Sequence, residues 1–150
     1  VDPNDKEAEA SNPFFTTYTD IENLRNFTDV FQDGEEVVVT EKIHGKNSRL
    51  GYILNDEGVW QRLAGGRTVQ RKNTPGSAHW YPWSLPQMNL LAGAILADPK
   101  IARQIVMFGE IFGNQKKMKY GLPGVLGYRM FDLFTDGFIG RWWVYFHPVF

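Results

Sequence analysis

Glu36-Val-Val-Val-Thr-Glu-Lys-Ile-His-Gly45, followed by Asn47 to Leu54 and then by Asn55-Asp-Glu-Gly58, is the stretch on which the fold turns. A β-branched run that ends at a glycine predicts a strand over 36–45. A second strand is predicted over 47–54, with Asn55 to Gly58 as a hairpin turn and Val59 to Leu63 returning antiparallel. Gly65-Gly-Arg-Thr68 then breaks the strand, and Arg71 to Ser77, with Pro75-Gly76, reads as an exposed loop.

Beyond that loop lie Trp80, Tyr81 and Trp83, with Pro82 and Pro86 beside them. Such aromatics can stack on bases, but here they are expected to cover an edge of the core. Leu85 to Leu96 carries apolar residues at 88, 91, 95 and 96, the pattern of an amphipathic helix stopped by Asp98-Pro99. Ile105–Phe112 and Leu126–Phe134 are two further buried strands. Upstream, Asp20 with Ile21, Leu24 and Phe27 suggests a short helix ending before Asp33-Gly34. Val1 to Pro13 is polar and aperiodic and reads as a flexible linker or tail, which leaves 14–150 as one domain. Hairpins with occasional helices, and no repeat or βαβ order, argue for an α+β fold with antiparallel sheets flanked by helices. The same ground argues against a doubly wound nucleotide fold.

The 150 residues, 43% hydrophobic and 15% aromatic, suffice for one globular core. No apolar run reaches membrane-spanning length, no signal pattern opens the chain and there is no cysteine, so a cytoplasmic or nuclear setting without membrane partners is expected. The net charge of -1 hides a division: residues 1–36 hold ten acidic and two basic side chains, residues 41–72 three acidic and seven basic. A local anionic ligand fits the second segment, whereas general nucleic-acid affinity does not follow from it.

Glu41-Lys-Ile-His-Gly-Lys-Asn47 puts a lysine three residues before a glycine that lets backbone approach a ligand closely. A lysine amine attacks phosphorus only as the free base, which requires desolvation or a cationic neighbour such as Lys46. Taken alone, Lys-x-x-Gly is a short pattern that a solvated hairpin lysine satisfies equally well. The histidines at 44, 79 and 147 lack the local spacing of common metal motifs, which argues against a zinc site.

The joint pattern is more specific. Glu41 to Asn47 resembles motif I of the covalent nucleotidyltransferases, and its Glu-Lys-Ile-His-Gly core is similar to that of RNA ligases related to the second RNA ligase of T-even phage. Gly66-Arg67-Thr68 resembles the arginine-bearing element that follows, Phe108-Gly-Glu110-Ile-Phe-Gly113 motif III, and Phe131-Asp132-Leu133 motif IIIa. Asp20 to Arg25, Gln115 and Tyr120-Gly121 are similar to the Deinococcus-type RNA ligases, so the resemblance spans about residues 14–137.

That resemblance implies an ATP-dependent RNA ligase of use in RNA repair. Lys42 would form lysyl-AMP with release of pyrophosphate, and AMP would pass to an RNA 5′-phosphate before a 3′-hydroxyl seals the ends. Magnesium or manganese is implied, with Glu110 as its holder or as a ribose ligand. Phe131 would stack on adenine and Glu41 would meet its exocyclic amine. His44, Gly45, Asn47 and Asp132 would form the turn and the ribose and phosphate contacts, and Arg67 would pair with phosphate or ribose. The basic run Lys116, Lys117 and Lys119 is a secondary candidate for RNA contact. Phe131 as core, Arg67 as a turn residue and Glu110 in a lysine pair are the plainer readings of each residue taken singly. The family's motifs IV and V are not found, so the chain is expected to be truncated after motif IIIa, and Lys46 stands where phage-type ligases have threonine. Alternatives are an inactive nucleotide- or RNA-binding module, or part of a DNA ligase or capping-type guanylyltransferase.

Overall fold

The computed structural model describes residues 5–97, 103–114 and 119–136. Its centre is a long strand, β2 (Lys46–Leu54), that pairs on both sides. On one side β3 (Trp60–Gly65) returns antiparallel through the turn at 55–58, where the Asn55 side chain accepts from the Glu57 and Val59 N–H groups. On the other side lies β5 (Gln104–Gly113), with Leu50 opposite Met107 and Asn47 opposite Glu110. β6 (Leu126–Thr135) flanks β5, and two short strands, β1 (Ala8–Glu9) and β4 (Gln70–Arg71), extend the other edge. The result is one six-stranded antiparallel sheet, ordered β1-β4-β3-β2-β5-β6, with a single α-helix, α1 (Pro86–Leu96), among the described residues.

Strand alternation sends side chains to two faces. On one face Leu50, Ala64, Ile105, Met107 and Met130 meet Met88 and Ala92 of α1 and Trp83 of a 3₁₀ turn, Tyr81–Ser84. Trp83 is buried, as expected of an aromatic that closes the core edge, and its indole N–H donates to the Leu63 carbonyl at 2.9 Å. The opposite face carries Ile53, Leu63, Val106 and Phe108, and Phe15 covers them. Gly51 makes room for that ring: a Cβ there would lie 2.7 Å from Phe15 Cδ2.

Three expectations differ from what is observed. Residues 36–44 form no strand, and Val37, Val38 and Val39 are 48%, 71% and 90% exposed. Their β propensity meets no partner strand among the described residues, and propensity without pairing does not order a strand. The helix read from Asp20 reduces to a 3₁₀ turn, Leu24–Asn26, capped by the Asn23 side chain. Ile21, Leu24 and Phe27 stay exposed, so the i, i+3 spacing has no surface to pack on among the described residues. Within the stretch read as a tail, Ala8 and Glu9 pair with Arg71 and Gln70, Arg71 bonds Asp5, and the Asn12 N–H donates to Gln70 Oε1 at 2.9 Å. β2, β3, β5, β6 and α1 lie within two residues of their expected bounds, whereas β4 pairs Arg71, read as the start of a loop, into the sheet.

Candidate functional site

The Lys42 segment joins the sheet at Gly45, where β2 begins. The Gly45 N–H donates to Glu110 Oε1 at 3.0 Å, so the turn is clasped to β5. No other residue fits there, because a Cβ on Gly45 would collide with the Ile111 carbonyl oxygen. One residue earlier, the His44 N–H donates to Tyr120 Oη at 2.6 Å. Tyr120 has φ 50, a left-handed conformation uncommon for a residue with a Cβ, and its ring meets Phe112 edge-on at 5.4 Å. Two backbone N–H groups of the turn are therefore held by side chains from β5 and from the loop before β6.

Asn47 and Glu110 stand opposite each other in register, as do Glu110 and Arg129, and residues so paired share a face. The next row along holds Arg49, Phe108 and Asp132. Phe131 and Asp132 are adjacent in sequence and would point to opposite faces of a regular strand. The register of β6 slips between them and Met130: Phe108 faces Asp132 while Gly109 faces Met130. That bulge turns Phe131 and Asp132 to the same side, and Tyr18 touches both, its ring 5.4 Å from Phe131 and its hydroxyl donating to Asp132 Oδ2 at 2.9 Å.

The structure thus brings Gly45, Asn47, Glu110, Phe131 and Asp132 to one face of the sheet. Lys42, Glu41 and His44 are exposed on the irregular segment that leads into it. Arg67 is not part of the row; it is exposed and paired with Asp20. Lys119 is exposed, and Lys116 and Lys117 lie outside the described residues. Lys46 points away from Asn47, to the face where, with Arg71, its field opposes protonation of His79. Burial is the larger cause, and His79 is lowered to about 4.

Arg49 escaped the sequence reading. It is 1% exposed, its guanidinium lies 4.0 Å from the Phe15 ring centroid, and one Nη donates to the Phe15 carbonyl at 2.5 Å. Its Nε and second Nη find no acceptor among the described residues. Burial lowers its pKa to about 10, which leaves the charge in place at neutral pH. A positive strand residue between Ser48 and Leu50 reads as solvent-facing in sequence; only the packing of Phe15 reveals a buried cation. Among the described residues no three His, Asp or Glu side chains gather as a metal cage.

The family model described as RNA ligase matches residues 35–145, which includes the Lys42 turn and strands β2 to β6. The chain belongs to the RNA ligase family. No curated protein and no solved structure matches it. Membership makes RNA the substrate class of this ligase domain. Among its described residues no helix is long and apolar enough to cross a membrane.

Proposed function

We propose that this ligase domain takes adenylate from ATP onto Lys42 as the first step in joining an RNA 5′-phosphate to a 3′-hydroxyl. The observation that carries the reading is the clasp of the Gly45 N–H on Glu110, which ties the turn bearing the lysine to the carboxylate face. As a free amine, Lys42 Nζ attacks the α-phosphorus of ATP; the bond to the bridging oxygen breaks, pyrophosphate leaves and the nitrogen loses a proton. An RNA 5′-phosphate oxygen then displaces the lysine, and the 3′-hydroxyl displaces AMP as it loses its proton. Each displacement needs in-line approach, which a turn held at two backbone N–H groups helps to fix.

Phe131 offers adenine a ring face, Asn47 and Asp132 offer ribose and phosphate contacts, and Glu41 and His44 flank the nucleophile. Arg67 can turn to phosphate at little cost, because its bond to Asp20 is a surface pair. Arg49 contributes fixed positive charge beneath the same face. The oxygen donors Glu110, Asp132 and Asn47 suit a hard divalent ion that phosphates and water complete, and Glu110 would hold it. Magnesium or manganese, when bound, supplies charge neutralisation at the phosphates. Within the family, the resemblance of Asp20 to Arg25 and of Tyr120-Gly121 supports the Deinococcus-type subgroup.

A second reading, nucleotide binding without adenylylation, is favoured by the exposed, irregular setting of Lys42 and by Tyr18 lying over Phe131. Incubation with α-labelled ATP and magnesium or manganese, beside Lys42→Ala, separates the two. Label retained by the wild type and lost in the variant supports adenylylation; ATP binding without label in either supports the second reading.

A further inference from the structure

An open cavity lies away from the Glu110 face. Tyr52, Trp60, Arg62, Asn73, Trp80 and Trp83 line an open hollow of about 610 Å³ on the α1 side of the sheet, within the size range of roughly 300–1,000 Å³ of small-ligand sites. Its walls are fixed. The indole N–H of Trp80 donates to the Arg71 carbonyl and that of Trp83 to the Leu63 carbonyl, both at 2.9 Å. Tyr52 and Trp60 stack at 5.5 Å with 21° between planes, and Arg62 sits 5.4 Å from the Trp83 ring.

The hydrogen-bonding groups at the rim are open. The Trp60 indole N–H and the Asn73 amide enter no hydrogen bond among the described residues, and Arg62 has no carboxylate partner there. No acidic residue lines the hollow, and the exposed Lys72 adjoins Asn73. Rigid aromatic faces, a cation and an amide with open donors and acceptors are what an unstacked base on a phosphate backbone requires.

We propose that this hollow binds single-stranded RNA by stacking a base against Trp60, with Arg62 and Asn73 on the base edge or backbone. The site would hold the substrate strand behind the sheet. The inference rests on RNA ligase family membership, and it does not depend on adenylylation at Lys42.

The test is fluorescence anisotropy of a labelled, 5′-phosphorylated 12-nucleotide oligoadenylate with wild type, Trp60→Ala, Arg62→Ala and Asn73→Ala, beside an oligomer of the same charge built from abasic sites. Expected are binding about tenfold weaker for Trp60→Ala, a loss of several-fold for Arg62→Ala, and weak binding of the abasic oligomer by wild type. Unchanged unfolding midpoints would show that the fold is intact. Arg62 and Asn73 are exposed, so their variants decide the matter if Trp60→Ala fails to fold. Equal affinity of the Arg62 and Asn73 variants and wild type, equal affinity of the abasic and base-bearing oligomers, or no RNA binding by wild type would each overturn the proposal. Label transfer from ATP, measured on the same variants, reports separately on Lys42.

Discussion

Tyr18 donates its hydroxyl proton to Asp132 Oδ2 at 2.9 Å while its ring meets Phe131 edge-on, so one N-terminal side chain occupies both residues that would receive the nucleoside. Adenine stacked on Phe131, as proposed, would compete with Tyr18 for that ring. On the proposed reading the segment around Tyr18 moves when nucleotide binds, and removing its side chain should help. Tyr18→Ala is expected to bind ATP several-fold more tightly in a calorimetric titration, while losing stability on the order of 1–3 kcal/mol from the vacated packing and the lost hydrogen bond. Weaker ATP binding in a folded Tyr18→Ala would place adenine elsewhere.

Gly45→Ala should abolish label transfer from ATP. The new methyl group cannot fit against the Ile111 carbonyl, and the turn must leave Glu110. Glu110→Gln keeps an amide oxygen for the Gly45 N–H but removes the charge. It should therefore fold normally and lose activity chiefly through metal or ribose contacts, seen as a raised divalent-ion requirement.

Arg49 carries a buried charge whose Nε and one Nη lack partners among the described residues, a costly arrangement in the absence of an anion. Arg49→Met, of similar length, is expected to hold or raise the thermal midpoint, by about 1 kcal/mol of stability or more, and at the same time to weaken ATP binding. A stable variant with unchanged ATP affinity would make the charge irrelevant to the nucleotide.

His79 is 7% exposed and its pKa is lowered from 6.5 to about 4, first by burial and then by Lys46 and Arg71. The unfolded chain takes up this proton before the folded one does. Stability is thus fully present above about pH 6.5 and falls as pH drops toward 4, by on the order of 3 kcal/mol from this group. Denaturant midpoints measured from pH 7 to pH 4 should show the decline, and His79→Gln should flatten it.

Val39 is 90% exposed. If the 36–44 segment is unpaired as described, Val39→Lys will change folding stability by less than about 0.5 kcal/mol in a urea titration. A loss well above 1 kcal/mol would mean that this run is a packed strand.

The elements legible in sequence were those whose pattern matched a tertiary surface. Asn47 to Leu54 alternates against β3 and β5, Asn55 carries the turn chemistry of its hairpin, and Met88 with Ala92 faces the sheet. Val37 to Val39 and Ile21, Leu24 and Phe27 have equally clear patterns, yet no described residue buries them, and pattern alone does not supply a partner. In the candidate site, the Gly45 N–H bonds Glu110, a contact the sequence reading did not name, and Arg67 turned to Asp20. The bulge at Phe131, the burial of Arg49 and the strained Tyr120 depend on register and on Phe15 packing, which no local pattern encodes.

The most direct measurement is the intact mass of the protein after incubation with ATP and magnesium or manganese, with peptide mapping of any adduct. A gain of one AMP mapped to Lys42 and absent from Lys42→Ala is the expected result. An unmodified mass at ATP concentrations that saturate binding, or an adduct on another residue, would contradict adenylylation at Lys42.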